Sequence, residues 1–348
     1  MMSQRENILR SVRFERPERI PMVFWINPAC YNHYQKAALD ELQESHPYLF
    51  PGFPTPSELP TVPKLPGQSS FVDEWGVTMA SPEEGIAAIS VKHPFADWSV
   101  LEGYLPPPLP GLTEEEKKRP NLAAENRRDA IAAGTLVYGG LPHGHTFLRL
   151  CDLRGYEALI CDMADGEPRL WRLIEIIEAH NEALVHCSLL RGAEWVGYPE
   201  DLGMQIGPML SPEHFKKYIK PSYSRLMKLA EETGCIIHMH SDGDIHTLVD
   251  DLVTSGVRVM NLQDLVNGID WIEKRLKGKV CIDLDIDRQK VTRFGTPEEV
   301  DALIKTEVET LGSREGGLMM IYGMYPGIPL ANAKALMDAM EKYSTYYS

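Results

Sequence analysis

A chain of 348 residues, 43% apolar and 24% charged, is long enough to bury a large core and has an ordinary globular composition. Its 50 acidic and 35 basic side chains leave a net charge of −15, which argues against nucleic acid or an anionic membrane as partner. The N-terminal stretch MMSQRENILRSVRF lacks an apolar core run, and nothing approaches the roughly 18 apolar residues of a spanning helix, so a cytoplasmic protein is expected.

In chain order, residues 3–13 read as a short helix and Ile20–Ile26 as a strand, with Pro21 tolerated at the strand start. Residues 50–68 carry six prolines and are expected to be loop. One strand is expected within 77–92, and a second Pro-rich loop over Leu105–Gly111. From residue 130 short β-branched runs alternate with helical patterns. The strands expected are Thr135–Gly139, Ala193–Gly197, Cys235–His240, Val257–Leu262, Lys279–Leu284 and Leu318–Tyr322. The helices expected cover about 166–190, 211–233, 244–255, 268–277, 297–312 and 329–345. Ser211-Pro212-Glu213 and Thr296-Pro297-Glu298-Glu299 carry N-terminal capping signals, and Gly234 and Gly256 sit just past helix ends.

Near-continuous apolar strands alternating with helices are buried parallel strands. The pattern predicts a single α/β domain over residues 1–348, a (β/α)8 TIM-type barrel with an N-terminal extension. Residues 1–130 would hold the N-terminal helix, the first strands and the Pro-rich loops. A doubly wound open sheet is the competitor, but the Gly-rich phosphate turn usual after its first strand is missing. The cysteines, Cys30, Cys151, Cys161, Cys187, Cys235 and Cys281, form no C-x-x-C pair and read as reduced thiols.

In a barrel, chemistry collects where the strands end. The densest such segment is His238-Met-His240-Ser-Asp242-Gly-Asp244. His238, His240 and Asp242 would share one strand face and could bind zinc with an open fourth position, or line a pocket without metal. Glu200 and Asp201 are adjacent, so only one can face the site; Asp201 is expected to do so, in acid, base or hydrogen-bonding work. Together with His240 these two make the candidate catalytic set. Asp73, Trp75, His143, Met320 and Tyr322 are candidates for substrate binding, against plainer readings as loop packing, surface histidine or core filling.

The segments Asp73–Val77 (DEWGV), Leu153–Glu157 (LRGYE), Glu200–Gln205 (EDLGMQ), Leu210–Glu213 (LSPE), His240–Asp244 (HSDGD) and Phe294–Val300 (FGTPEEV) occur in an order that resembles the uroporphyrinogen decarboxylase superfamily. The resemblance runs from about residue 5 to 345 and implies a (β/α)8 barrel. It also implies either a porphyrin decarboxylase or a cobalamin-dependent methyltransferase. Decarboxylases carry an arginine-rich R-Q-A-G-R motif near the N-terminus, whereas Ile20–Tyr34 contains no Arg or Lys. A pocket for several carboxylates needs fixed cations.

The methyltransferase branch uses H-x-C on the fifth strand and a later cysteine as zinc ligands. His240-Ser241-Asp242 stands at the first place, and no cysteine lies around Tyr322–Met324. The resemblance therefore implies the methyl-donor component of an O-demethylase system. Such a protein would move methyl from a small methylated substrate, foremost a methoxylated aromatic, to the corrinoid of a partner protein. A decarboxylase-like lyase and a non-catalytic ligand-binding barrel are the alternatives, and a homo-oligomer stays open.

Overall fold

The computed structural model describes residues 2–51, 70–81 and 86–348. Its strands are β1 (Met22–Ile26), β2 (Phe71–Val72), β3 (Thr78–Ala80), β4 (Ile89–Lys92), β5 (Tyr138–Gly140), β6 (Trp195–Asp201), β7 (Ile236–Asp242), β8 (Val259–Gln263), β9 (Cys281–Asp285) and β10 (Leu318–Met324). The residues group into two compact units. One comprises Met1–Ser69, Ala80–Ile89 and Gln263–Ser348; the other comprises Ser70–Met79 and Ser90–Leu262.

In the first unit β10 pairs in parallel with β1, Met22 opposite Met320 through Ile26 opposite Met324. It also pairs in parallel with β9, Leu318 opposite Ile282 through Ile321 opposite Asp285. All five residues of β9 are buried, which is why that segment reads as apolar rather than alternating. Helices Pro297–Leu311 and Leu330–Ser344 lie within two residues of their expected bounds. The first begins with a complete capping box: Thr296 Oγ1 accepts from the Glu299 N–H, and the Glu299 carboxylate accepts from the Thr296 N–H.

In the second unit β5, β6, β7 and β8 are parallel and successive neighbours. Helix Arg169–Leu190 begins three residues after the expected 166 and ends where expected. The helix expected over 211–233 is real but interrupted: a turn at Pro212–His214, a π-helical turn at Phe215–Ile219, then helix Lys220–Glu231. The π turn is one residue wider than an α turn, so side chains after it are rotated relative to those before it.

One expectation needs correcting. The described residues of 77–92 supply no parallel strand. They hold β3 and β4, and β3 pairs antiparallel with β2, Phe71 opposite Met79. Four exposed side chains (Phe71, Val72, Ile89 and Val91) show why: a buried parallel strand would cover them. The Pro-rich stretch expected as loop over 50–68 lies almost wholly outside the described residues, while Leu105–Gly111 is irregular as expected. The six cysteines are free thiols, five of them buried. Among the described residues no helix is long and apolar enough to cross a membrane.

Candidate active site and metal centre

β6 and β7 run in register from Trp195 opposite Ile236 to Asp201 opposite Asp242. Along β7 buried and half-buried residues alternate, so His238, His240 and Asp242 share the half-buried face. Asp201 lies on the matching face of β6, at its last residue. Two strand ends thus bring Asp201, His240 and Asp242 together by register alone. His143 arrives from the segment after β5. That segment is tied to β6 by backbone bonds from Leu141 N to Gly197 O (2.9 Å) and from Gly144 N to Pro199 O (3.0 Å).

The resulting cluster is tight. His143 Nε2 is 3.2 Å from Asp201 Oδ1, His240 Nε2 is 3.6 Å from the same atom, and His240 Nε2 is also 3.6 Å from Asp242 Oδ1. One ligand atom each from His143, Asp201 and His240 lies within 4.8 Å of the others. Ligands about 2.1 Å from a tetrahedral zinc are about 3.4 Å apart, so these separations already approach the needed geometry. The His240 Nδ1–H donates to Asn261 Oδ1 at 2.5 Å, which fixes the tautomer and leaves the Nε2 lone pair facing the carboxylates. The donor set is nitrogen and oxygen, suited to zinc or a harder divalent cation. These residues fit a metal.

The electrostatics assign charges. Burial pushes His240 below the ordinary histidine value despite its two carboxylate neighbours, so it is neutral. The hydrogen bond to Asp201 raises His143. Burial works to raise Asp201, but the bond and charge of His143, with His240 behind them, hold it below the ordinary range. Asp201 is therefore a carboxylate at neutral pH, fitted to accept or ligate.

Glu200 faces the other way and is fully buried. Its Oε2 accepts from Thr146 N (3.1 Å), Phe147 N (2.9 Å) and the Tyr223 hydroxyl (2.6 Å), and its Oε1 from Leu148 N (3.1 Å). Phe147 opens helix Phe147–Arg154, so the carboxylate sits on a helix N-terminus. Burial raises its pKa, and the four donors oppose that. Glu200, counted among the catalytic candidates from sequence, thus points away from His143, Asp201 and His240 with its carboxylate engaged by four donors. Beside it, burial holds His145 neutral at about 3.

The other expected residues fall elsewhere. His238 lies against the Trp195 indole, ring centroids 5.1 Å apart, and is not in this unit's three-residue ligand set; His143 takes that place. Asp73 spends Oδ1 on the Trp75 and Val77 N–H groups and Oδ2 on Arg149 at 2.9 Å. Trp75 is only 4% exposed, packed edge-on against His180 with Arg149 over its ring. Both residues are anchors of packing rather than free contacts for a ligand. Met320 and Tyr322 are core residues of the first unit, the Tyr322 hydroxyl donating to Thr292 Oγ1 at 3.2 Å.

Sequence reasoning missed Asn261, Tyr223 and Asn181. Asn261 sits in a strand buried on both faces, where a polar residue demands a partner. That was a usable signal. Tyr223 and Asn181 occupy buried helix positions where periodicity reads only core.

Parallel β/α units with carboxylates and imidazoles at the strand ends place the chain in the α/β class. Over the whole of both chains the structure is similar to a methyltransferase from Methanosarcina mazei, with TM-score 0.65 and 15% identity, a likeness that establishes the (β/α)8 fold class. Residues 147–343 match the family model "Uroporphyrinogen decarboxylase (URO-D)", and the chain belongs to that family. Uroporphyrinogen decarboxylases of Prochlorococcus marinus strains NATL1A and NATL2A are each 24% identical over 193 residues, 52% of this chain. The match spans about half the length of each of these relatives.

Proposed function

We propose that this chain is a methyltransferase that moves a methyl group from a small methylated substrate, foremost a methoxylated aromatic, to the cobalt of a separate corrinoid protein. The His143–Asp201–His240 cluster carries the reading, supported by the whole-length likeness to a methyltransferase. An aryl ether releases its oxygen as phenolate unless that oxygen is protonated or coordinated as the methyl departs. A divalent metal held by His143, Asp201 and His240 would supply a Lewis acid there. The residues themselves prepare the site: Asn261 holds the tautomer of His240, Asp201 contributes the negative charge, and His143, raised by its bond to Asp201, is placed to hold a proton beside the oxygen. The ligand set contains no thiolate, which favours an oxygen or nitrogen leaving group over thiol chemistry.

A second reading, decarboxylation of a carboxylated substrate, is favoured by the family and by the names of its relatives. Against it stands the absence of cations in Ile20–Tyr34. Metal analysis of purified protein, joined to a screen of methoxylated aromatics against a reduced corrinoid protein, separates the two. The first reading expects about one metal per chain, loss of both metal and turnover in His240→Ala, and no coproporphyrinogen formed from uroporphyrinogen. Full turnover by metal-free protein removes the metal from it, and coproporphyrinogen as product promotes the second reading.

A further inference from the structure

Asp201 and Glu200 are neighbours on one strand with opposite faces, and the difference between them has a use. We propose that Glu200 is a positioning residue: its buried carboxylate locks the segment Leu141–Leu148 onto the end of β6 and so holds His143 within reach of Asp201 and His240. The inference rests on the metal-binding reading of that cluster.

His143 is half exposed, and an exposed His–carboxylate pair contributes at most about 1 kcal/mol, too little to order a loop. The backbone bonds of Leu141 and Gly144 to β6 flank it, and Glu200 fixes the chain that follows. Thr146, the first of three successive N–H groups that end on Glu200, lies three positions further on, and three residues span at most about 10 Å. Asn181, buried in helix Arg169–Leu190, fastens the same stretch by donating to His145 O at 2.8 Å and Thr146 Oγ1 at 3.3 Å. Tyr223, one turn beyond the π-helical turn, closes the arrangement with its hydroxyl on Glu200. A fully buried carboxylate is costly to keep, and well-packed apolar residues often serve stability equally well. What Glu200 adds is one geometry for the loop: the strand end that supplies a ligand also places the ligand's partner.

The test compares wild type, Glu200→Gln and Asn181→Ala, as full-length protein freed of metal and titrated with Co2+. Visible absorption reports binding, the NOE between the His143 and His240 rings, whose centroids are 5.8 Å apart, reports placement, and thermal melting reports stability. Glutamine turns an NH2 toward backbone donors, so Glu200→Gln should weaken Co2+ binding about 10- to 100-fold and lose the NOE while remaining folded. Asn181→Ala should move both readouts the same way and carries the test if Glu200→Gln does not fold. Wild-type affinity and an intact NOE in a folded variant overturn the proposal. Failure of wild type to bind Co2+ instead removes the metal reading, and the NOE still decides whether Glu200 places His143.

Discussion

Asp201 receives His143 on one oxygen, and the same oxygen lies 3.6 Å from His240, so its charge is shared by both imidazoles. Replacing it with asparagine keeps the size and removes the charge. If the cluster activates an ether oxygen, Asp201→Asn should depress methyl transfer from an aryl ether by about a hundredfold or more. A donor whose phenol is more acidic needs less help at oxygen and should lose much less. Rates for a pair of donors differing in phenol acidity check this, and equal losses would take Asp201 out of the chemical step. Trp75 makes a different case. Its indole is buried between His180 and Arg149, so Trp75→Ala should cost about 3 kcal/mol of stability, read as a lowered denaturant midpoint. Substrate affinity in the folded fraction should be unchanged.

At the scale of elements, the ends of β6 and β7 touch through two glycines. A Cβ built on Gly243 would lie 2.1 Å from the carbonyl carbon of Gly203, and Gly243 has φ +80°, where a side chain is strained in any case. Gly243→Ala must push the two turns apart, and with them Asp201, His240 and Asp242. It should lower both the melting temperature and metal affinity, whereas a glycine with open space and no left-handed φ, such as Gly111 replaced by alanine, should move neither. The capping box at Thr296 has no link to this chemistry: Thr296→Ala should destabilise by about 1 kcal/mol with no change in metal content.

At the scale of the whole molecule, pH dependence has an identifiable source away from the cluster. Glu307 is fully buried, neither of its oxygens receives a conventional donor among the described residues, and it is hydrogen-bonded to Asp264. Asp264 in turn accepts from Leu265 N and Asp287 N. Burial first, then the charge of Asp264, drives the pKa of Glu307 well up, so it keeps its proton and donates it to Asp264. A group whose folded pKa is raised stabilises the fold fully below its unfolded value, and that contribution fades as pH rises toward the folded one. Melting temperature should therefore fall from mildly acidic to mildly alkaline buffer. Glu307→Gln, which keeps a donor and cannot ionise, should flatten the slope; an unchanged slope would place the titration elsewhere.

The alternation of short apolar runs with amphipathic helices was enough, from sequence alone, to place seven parallel strands to within a few residues, because buried strands and helices differ in period whatever surrounds them. It also singled out Asp201 and His240, which come together because β6 and β7 end there and strand register is local. Tertiary structure decided the rest. His143 joins the cluster across a loop, Glu200 turns from candidate acid to loop anchor, and Trp75, Met320 and Tyr322 go into packing. Nothing in the spacing of those residues encodes these outcomes. Which face of a strand end is covered, and which donors converge on a carboxylate, depends on segments distant in the chain that meet only once the helices have packed.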